Sequence, residues 1–155
     1  MVEAMQEGTL AGCKMVDIRV TIYDGTYHVV DSSDMAFKIA GSMGFRKAVS
    51  DAKPILLEPI YNIEVLVPGE FMGDVMGDIS SRRGKIMGME ADGGFEKIRA
   101  KVPLAELYKY STSLRSHTQG RGHHTREFSH YEEVPHEIAE KIIKEFQDQK
   151  QKEVK

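Results

Sequence analysis

The stretch Leu56-Leu57-Glu58-Pro59-Ile60-Tyr61-Asn62-Ile63-Glu64-Val65-Leu66-Val67 decides the fold. Tyr61, Ile63, Val65 and Val67 alternate with Ile60, Asn62, Glu64 and Leu66, and a period of two predicts a strand with one face buried. Pro68-Gly69 breaks it. Downstream, Phe71, Met72, Val75, Met76 and Ile79 recur at helical spacing, and Gly84 is placed to end that helix. Lys85–Glu90 and Phe95–Val102 predict two strands joined through Asp92-Gly93-Gly94, a hairpin connection. Pro103 suits the first turn of a second helix, where its missing N–H is harmless, with Leu104, Leu107 and Tyr108 on the buried side. Arg121–Tyr131 predicts the last strand. The order strand, helix, strand, strand, helix, strand is the split βαβ arrangement of ferredoxin-like α+β domains, an antiparallel sheet of four strands with two helices on one face.

Residues 54–135 are therefore expected to form one domain and residues 136–155 a terminal helix and tail. Pro135 opens that helix, and Ile138, Ala139, Ile142, Ile143 and Phe146 form its apolar stripe before a frayed end from Gln147. Upstream, Val16, Ile18, Val20 and Ile22 alternate with Asp17, Arg19, Thr21 and Tyr23, predicting a strand over residues 15–23. Asp24-Gly25 turns the chain, and Thr26–Val30 reads as a short extended piece. Asp31-Ser32-Ser33-Asp34 offers caps to a helix from Met35 to Asp51. Gly41 and Gly44 weaken that helix by about 1 kcal/mol each relative to alanine, which suggests close packing against them. One strand and one helix do not complete a sheet, so residues 1–53 read as the second half of a domain.

The 155 residues carry 21 Lys and Arg against 24 Asp and Glu, and 41% are apolar, as in a soluble globular chain. The single cysteine, Cys13, excludes an internal disulfide and a thiolate metal cage. The acidic start, Met1-Val2-Glu3-Ala4-Met5-Gln6-Glu7, has neither the basic residues nor the apolar run of a secretory signal, and no membrane partner is expected. These features lead to a cytoplasmic expectation. No G-x-x-x-x-G-K-[ST] or G-x-S-x-G occurs, so no catalytic residue is assigned. Gly120-Arg121-Gly122 runs from helix to strand, the reverse of a dinucleotide fingerprint. His117, His123, His124 and His130 lack the spacing of a metal site, and strand alternation sets His124 and His130 on one face with His123 on the other. No metal or cofactor is expected in this chain.

Charge is distributed unevenly. Residues 1–80 hold 6 basic and 12 acidic side chains, whereas residues 81–130 hold 10 and 5. Between Leu107 and Arg126 no acidic residue occurs, although Lys109, Arg115, Arg121 and three histidines do. Lys97, Arg99 and Lys101 share one strand face, Arg82-Arg83-Gly84-Lys85 follows a helix, and Arg115–Arg126 forms a glycine-rich basic loop. Guanidinium forks beside small residues suit phosphate oxygens and irregular RNA.

Two sets of motifs carry a family resemblance. Val16-Asp17-Ile18-Arg19-Val20-Thr21-Ile22-Tyr23-Asp24-Gly25-Thr26-Tyr27-His28 and Asp31-Ser32-Ser33-Asp34-Met35-Ala36-Phe37 resemble the fourth domain of elongation factor G, the ribosomal translocase. Leu56-Leu57-Glu58-Pro59-Ile60, Gly73-Asp74-Val75-Met76-Gly77-Asp78, Ser81-Arg82-Arg83-Gly84, Val102-Pro103-Leu104-Ala105-Glu106, Leu114-Arg115-Ser116, Thr118-Gln119-Gly120-Arg121-Gly122 and Phe128-Ser129-His130-Tyr131 resemble its fifth. The resemblance implies a tip loop of Asp24, Gly25, Tyr27, His28, Asp31 and Ser32 that reaches transfer and messenger RNA in the decoding centre. It also implies a fifth domain on large-subunit RNA near the stalk base and the sarcin–ricin loop, and position and charge together select Arg82, Arg83, Lys97, Arg99, Arg115, Gln119, Gly120, Arg121 and Gly122.

The family's nucleotide-binding domain, with its GTP and magnesium, has no counterpart here, nor does the first half of the fourth domain. The expected function is that of a non-catalytic carboxy-terminal portion whose partners are the ribosome and the remaining domains of a parent GTPase. The alternative is a free-standing interaction module that oligomerises through its incomplete half-domain.

Overall fold

The alternation around Ile63 becomes β1 (Leu57–Pro68), in which Ile63, Val65 and Val67 are buried. The computed structural model describes residues 1–153. After a 3-10 turn, α3 (Met72–Ser81) buries Val75 and Ile79; β2 (Lys85–Asp92) and β3 (Phe95–Pro103) form the hairpin, and β4 (His123–Glu133) closes the sheet. Two helices precede these, α1 (Val2–Glu7) and α2 (Asp34–Asp51); α4 (Tyr110–His117) precedes β4, and α5 (His136–Glu153) follows it.

The strand order β2-β3-β1-β4 is antiparallel throughout, with Ile63 opposite Ala100 on β3 and Arg126 on β4. This is the ferredoxin-like α+β fold. Ile63, Val65, Val67, Ile98, Ala100 and Val102 meet Val75, Ile79, Leu107, Tyr110 and Leu114 in one core on the helical face. Parity then sends Lys97, Arg99 and Lys101 to the opposite face.

Several local expectations are corrected. The second helix does not start at Pro103: Leu104–Leu107 is a 3-10 turn, Lys109 takes a left-handed φ of 55°, and α4 begins at Tyr110. Leu107, Tyr110 and Leu114 are buried there, whereas Tyr108 is 74% exposed. The left-handed residue after α3 is Arg83 (φ 58°) rather than Gly84. Gly84 is required by space, since a Cβ there would lie 2.5 Å from Ile79 Cγ2 and 2.6 Å from the Ile79 carbonyl oxygen. The β1–β4 register shifts between Ile60 and Tyr61, leaving Ser129 extra. That bulge reverses parity, so His124 lies on the helical face with Val65 while His130, opposite Ile60, lies on the other.

Leu57–Glu133 forms one compact unit, and the described residues on either side of it in sequence form another. In the second unit Ala4, Phe45 and Val49 are buried with Met1, Met5 and Met15 around them, and Glu3–Lys38 (2.8 Å) and Glu7–Arg46 (3.0 Å) tie α1 to α2. Ser33 Oγ caps α2 by accepting the Ala36 N–H at 3.1 Å. Gly41 lies against the Met1 side chain, but open space surrounds Gly44.

Residues 15–23 and 26–30 form no strand, and Val16, Ile22, Val29 and Val30 are exposed. A strand requires a ladder partner, and none among the described residues flanks this segment. The terminal helix continues to Glu153 instead of fraying from Gln147, and residues 154–155 of the expected tail lie outside the described residues.

Candidate nucleic-acid interface

The sequence-selected residues fall in two regions, and those of the second are divided between the two faces of the sheet, Lys97 and Arg99 on the open face and Arg115 on the helical side. The first is the loop of Asp24, Gly25, Tyr27, His28, Asp31 and Ser32. The Ser32 hydroxyl accepts the His28 N–H at 2.8 Å and the Ser32 N–H returns to the His28 carbonyl at 3.0 Å, closing a turn. Asp31 lies 3.3 Å from His28 Nδ1, and the Asp24 carboxylate accepts the Gly25 N–H at 2.7 Å. Tyr27 and His28 remain exposed. The turn thus presents an imidazole and a phenol ring on a hydrogen-bonded scaffold, groups that stack on or hydrogen-bond to unpaired bases.

The second region lies in the sheet unit, where the basic side chains divide by their partners. Arg82 donates to Asp78 at 3.0 Å and to the Glu106 carbonyl at 2.6 Å, with its guanidinium over the Tyr110 ring. Arg83 grips Glu58 with two hydrogen bonds and reaches Glu106 at 3.1 Å. The Glu58 contact, with Glu106 adding to it, holds the Arg83 guanidinium above its ordinary pKa against the opposing effect of burial. Arg99 is held on the open sheet face by Glu64 at 3.1 Å and Glu90 at 2.9 Å. Arg121 pairs with Glu70 and lies 4.7 Å over the Phe71 ring. Each of these four charges is balanced within the fold.

Lys97, Lys101, Lys109, Arg115 and Arg126 make no ion pair among the described residues. Arg115 stands in the last turn of α4, beside the loop of Gln119, Gly120, Arg121 and Gly122. Thr118, fully buried and not among the contact residues selected from the sequence, locks that loop. Its hydroxyl donates to the Leu114 carbonyl at 2.7 Å and accepts the Gly122 N–H at 2.8 Å. The Gly120 N–H reaches the Arg115 carbonyl at 2.8 Å, while Gln119 and Gly120 take positive φ values of 52° and 83°. A rigid loop that keeps its cations in place loses less entropy on binding a phosphate chain.

A groove of about 670 Å³ opens where the turn before α4 faces β4, lined by Leu104, Tyr108, Lys109, Ser111, His124 and Arg126 among others. No local pattern joins Lys109 to Arg126, and the acid-free run is the sequence signal that contains both.

Comparison with known proteins identifies the family. Residues 55–142 match the elongation factor G C-terminus, and residues 1–53 match elongation factor G, domain IV. The chain therefore belongs to the elongation factor G family of translation elongation factors. It is also similar to a Thermus thermophilus protein of known crystal structure, with 47% sequence identity and a TM-score of 0.81. That similarity covers 94% of this chain, which spans 22% of the length of the Thermus protein. Among the described residues no helix is long and apolar enough to cross a membrane.

Proposed function

We propose that this chain is the ribosome-contacting portion of an elongation factor G-like translocase, and that it binds RNA without performing bond chemistry. The observation that carries the reading is the pair of family matches, which together span residues 1–53 and 55–142. In this reading the parent factor couples GTP hydrolysis to movement of transfer and messenger RNA. The loop of Tyr27 and His28 meets RNA in the decoding centre, and the sheet unit meets large-subunit RNA near the stalk base and the sarcin–ricin loop.

Charge chemistry supports the second contact. Cations already gripped by carboxylates contribute little to phosphate binding, because they must first give up a partner. Arg115, Lys97 and Lys101 have no such partner, and α4 carries no acidic residue in its first turn to repel a phosphate. The Thr118-pinned loop beside Arg115 exposes Gln119 as a neutral donor and acceptor for base or ribose. Arg121 serves chiefly to hold the loop against Glu70 and Phe71.

Tethered hydroxyl-radical cleavage tests the placement. An iron chelate on His117→Cys, in a Cys13→Ser background, is expected to cut large-subunit RNA near the stalk base and sarcin–ricin loop. The same chelate on Thr26→Cys is expected to cut small-subunit RNA. Cleavage scattered over both subunits from either site contradicts the reading.

A further inference from the structure

The groove beside α4 has the three features that single-stranded RNA recognition needs: an exposed aromatic face, unneutralised cations and a polar side chain able to read a base edge. Tyr108 supplies the ring. The Lys109 ammonium lies 5.1 Å from the ring centroid, and Tyr108 is 74% exposed, so the ring has open surface for a base. Lys109 and Arg126 face the groove from different elements, the residue preceding α4 and the strand β4, and neither has a carboxylate partner among the described residues.

His124 supplies the third feature. Its ring packs edge-on to Tyr110 at 5.0 Å, and burial, then His123 and Arg126, hold its pKa below the ordinary value. A neutral imidazole offers one donor and one acceptor, which suits a base edge better than a phosphate. The backbone is also unusual, because Lys109 adopts the left-handed region that non-glycine residues enter at a cost. That conformation places a lysine at the positive end of α4, where a cation is disfavoured unless an anion joins it.

We propose that this groove receives one unstacked ribonucleotide of ribosomal RNA, the base on Tyr108 and its phosphate between Lys109 and Arg126. This inference rests on the ribosome-binding reading above and adds a pocket to it. The phosphate replaces the missing carboxylate, and the Ser111 hydroxyl at the groove wall is available to the ribose.

The 155-residue chain is titrated with a single-stranded pentaribonucleotide while the His124 ring signals are followed by NMR, and separately with large ribosomal subunits. The pentaribonucleotide is expected to shift the His124 signals. Tyr108→Ala is expected to weaken both interactions by roughly five- to a hundredfold, as loss of one stacked base does, while Tyr108→Phe binds as wild type. Arg126→Ala is expected to lower the salt slope of subunit binding by about one. Both side chains are exposed, so the variants keep the fold.

Wild-type subunit binding by Tyr108→Ala, with His124 unmoved by the pentaribonucleotide, overturns the groove and leaves the ribosome reading standing. A His124 shift in a chain that ignores subunits defeats the ribosome reading and retains the groove as a nucleotide site. Weakened subunit binding by Tyr108→Ala without any response to the pentaribonucleotide assigns the groove to a ribosomal protein and overturns the proposal.

Discussion

Arg83 holds Glu58 through two parallel hydrogen bonds, Nη1 to Oε1 at 2.9 Å and Nη2 to Oε2 at 2.7 Å. The same guanidinium reaches Glu106, so one side chain ties the start of β1, the end of α3 and the turn before α4. It does so from a left-handed backbone position that itself costs about 1 kcal/mol for a non-glycine residue. Glu58→Gln keeps the shape and removes the charge. The variant is expected to lose about 1–3 kcal/mol of stability, the range for charge-assisted hydrogen bonds in partly buried sites. Urea unfolding measures it, and an unchanged midpoint would deny the pair a structural role. Ribosome affinity of the folded variant should be unaltered.

Two glycines of the same region should respond in opposite directions. Gly84→Ala forces a methyl group into Ile79 and, at 3.1 Å, the Val102 side chain, and is expected to cost about 2 kcal/mol or more. Gly77→Ala, inside α3 with open space around it, is expected to stabilise by about 0.5–1 kcal/mol. Thermal melts of the two variants check the contrast, which fails if both move the same way.

Thr118 makes the third case. Replacing it with valine keeps the volume but leaves the Gly122 N–H without its acceptor, at a cost of about 1–3 kcal/mol. Faster hydrogen exchange is expected at Gly120 and Gly122, and exchange as slow as in the wild type would show that the loop is held by other contacts.

How much of this was legible in the sequence depended on distance along the chain. The alternation of Ile63, Val65 and Val67, and of Ile98, Ala100 and Val102, is local and predicted β1 and β3. The alternation of Val16, Ile18, Val20 and Ile22 is equally local, yet no strand forms, because alternation records a preference for a ladder and cannot supply its other half. Arg82 and Arg83 resemble an RNA-facing patch when read in order; Asp78, which pairs with Arg82, is one helical turn away, but Glu106 and Glu58, which hold Arg83, are 23 and 25 residues from it. His124 and His130 have the right parity for one face, and the extra residue at Ser129 undoes it. The element order already returns β4 beside β1, but the pocket of Tyr108, Lys109 and Arg126 depends on how the turn before α4 faces β4, which no local pattern announces.

Stability should depend on pH through His124. Burial, with His123 and Arg126 adding to it, holds this imidazole below the ordinary 6.5. The unfolded chain binds the proton near that ordinary value while the folded chain resists it. Stability from this group is therefore complete above about pH 6.5 and declines as the pH falls through and below it. His124→Gln is expected to flatten the change in melting temperature between about pH 7 and pH 5. A wild-type slope in the variant would remove His124 as its source.

The salt dependence of large-subunit binding, compared between wild type and Arg115→Ala, is the most direct measurement. Each phosphate contact releases condensed counterions, so the logarithm of affinity should fall steeply with the logarithm of salt for the wild type. Loss of the single unpaired guanidinium on α4 should lower that slope by about one. Undetectable binding at low ionic strength, or an affinity indifferent to salt, would contradict RNA contact by this chain, and an unchanged slope would remove Arg115 from it.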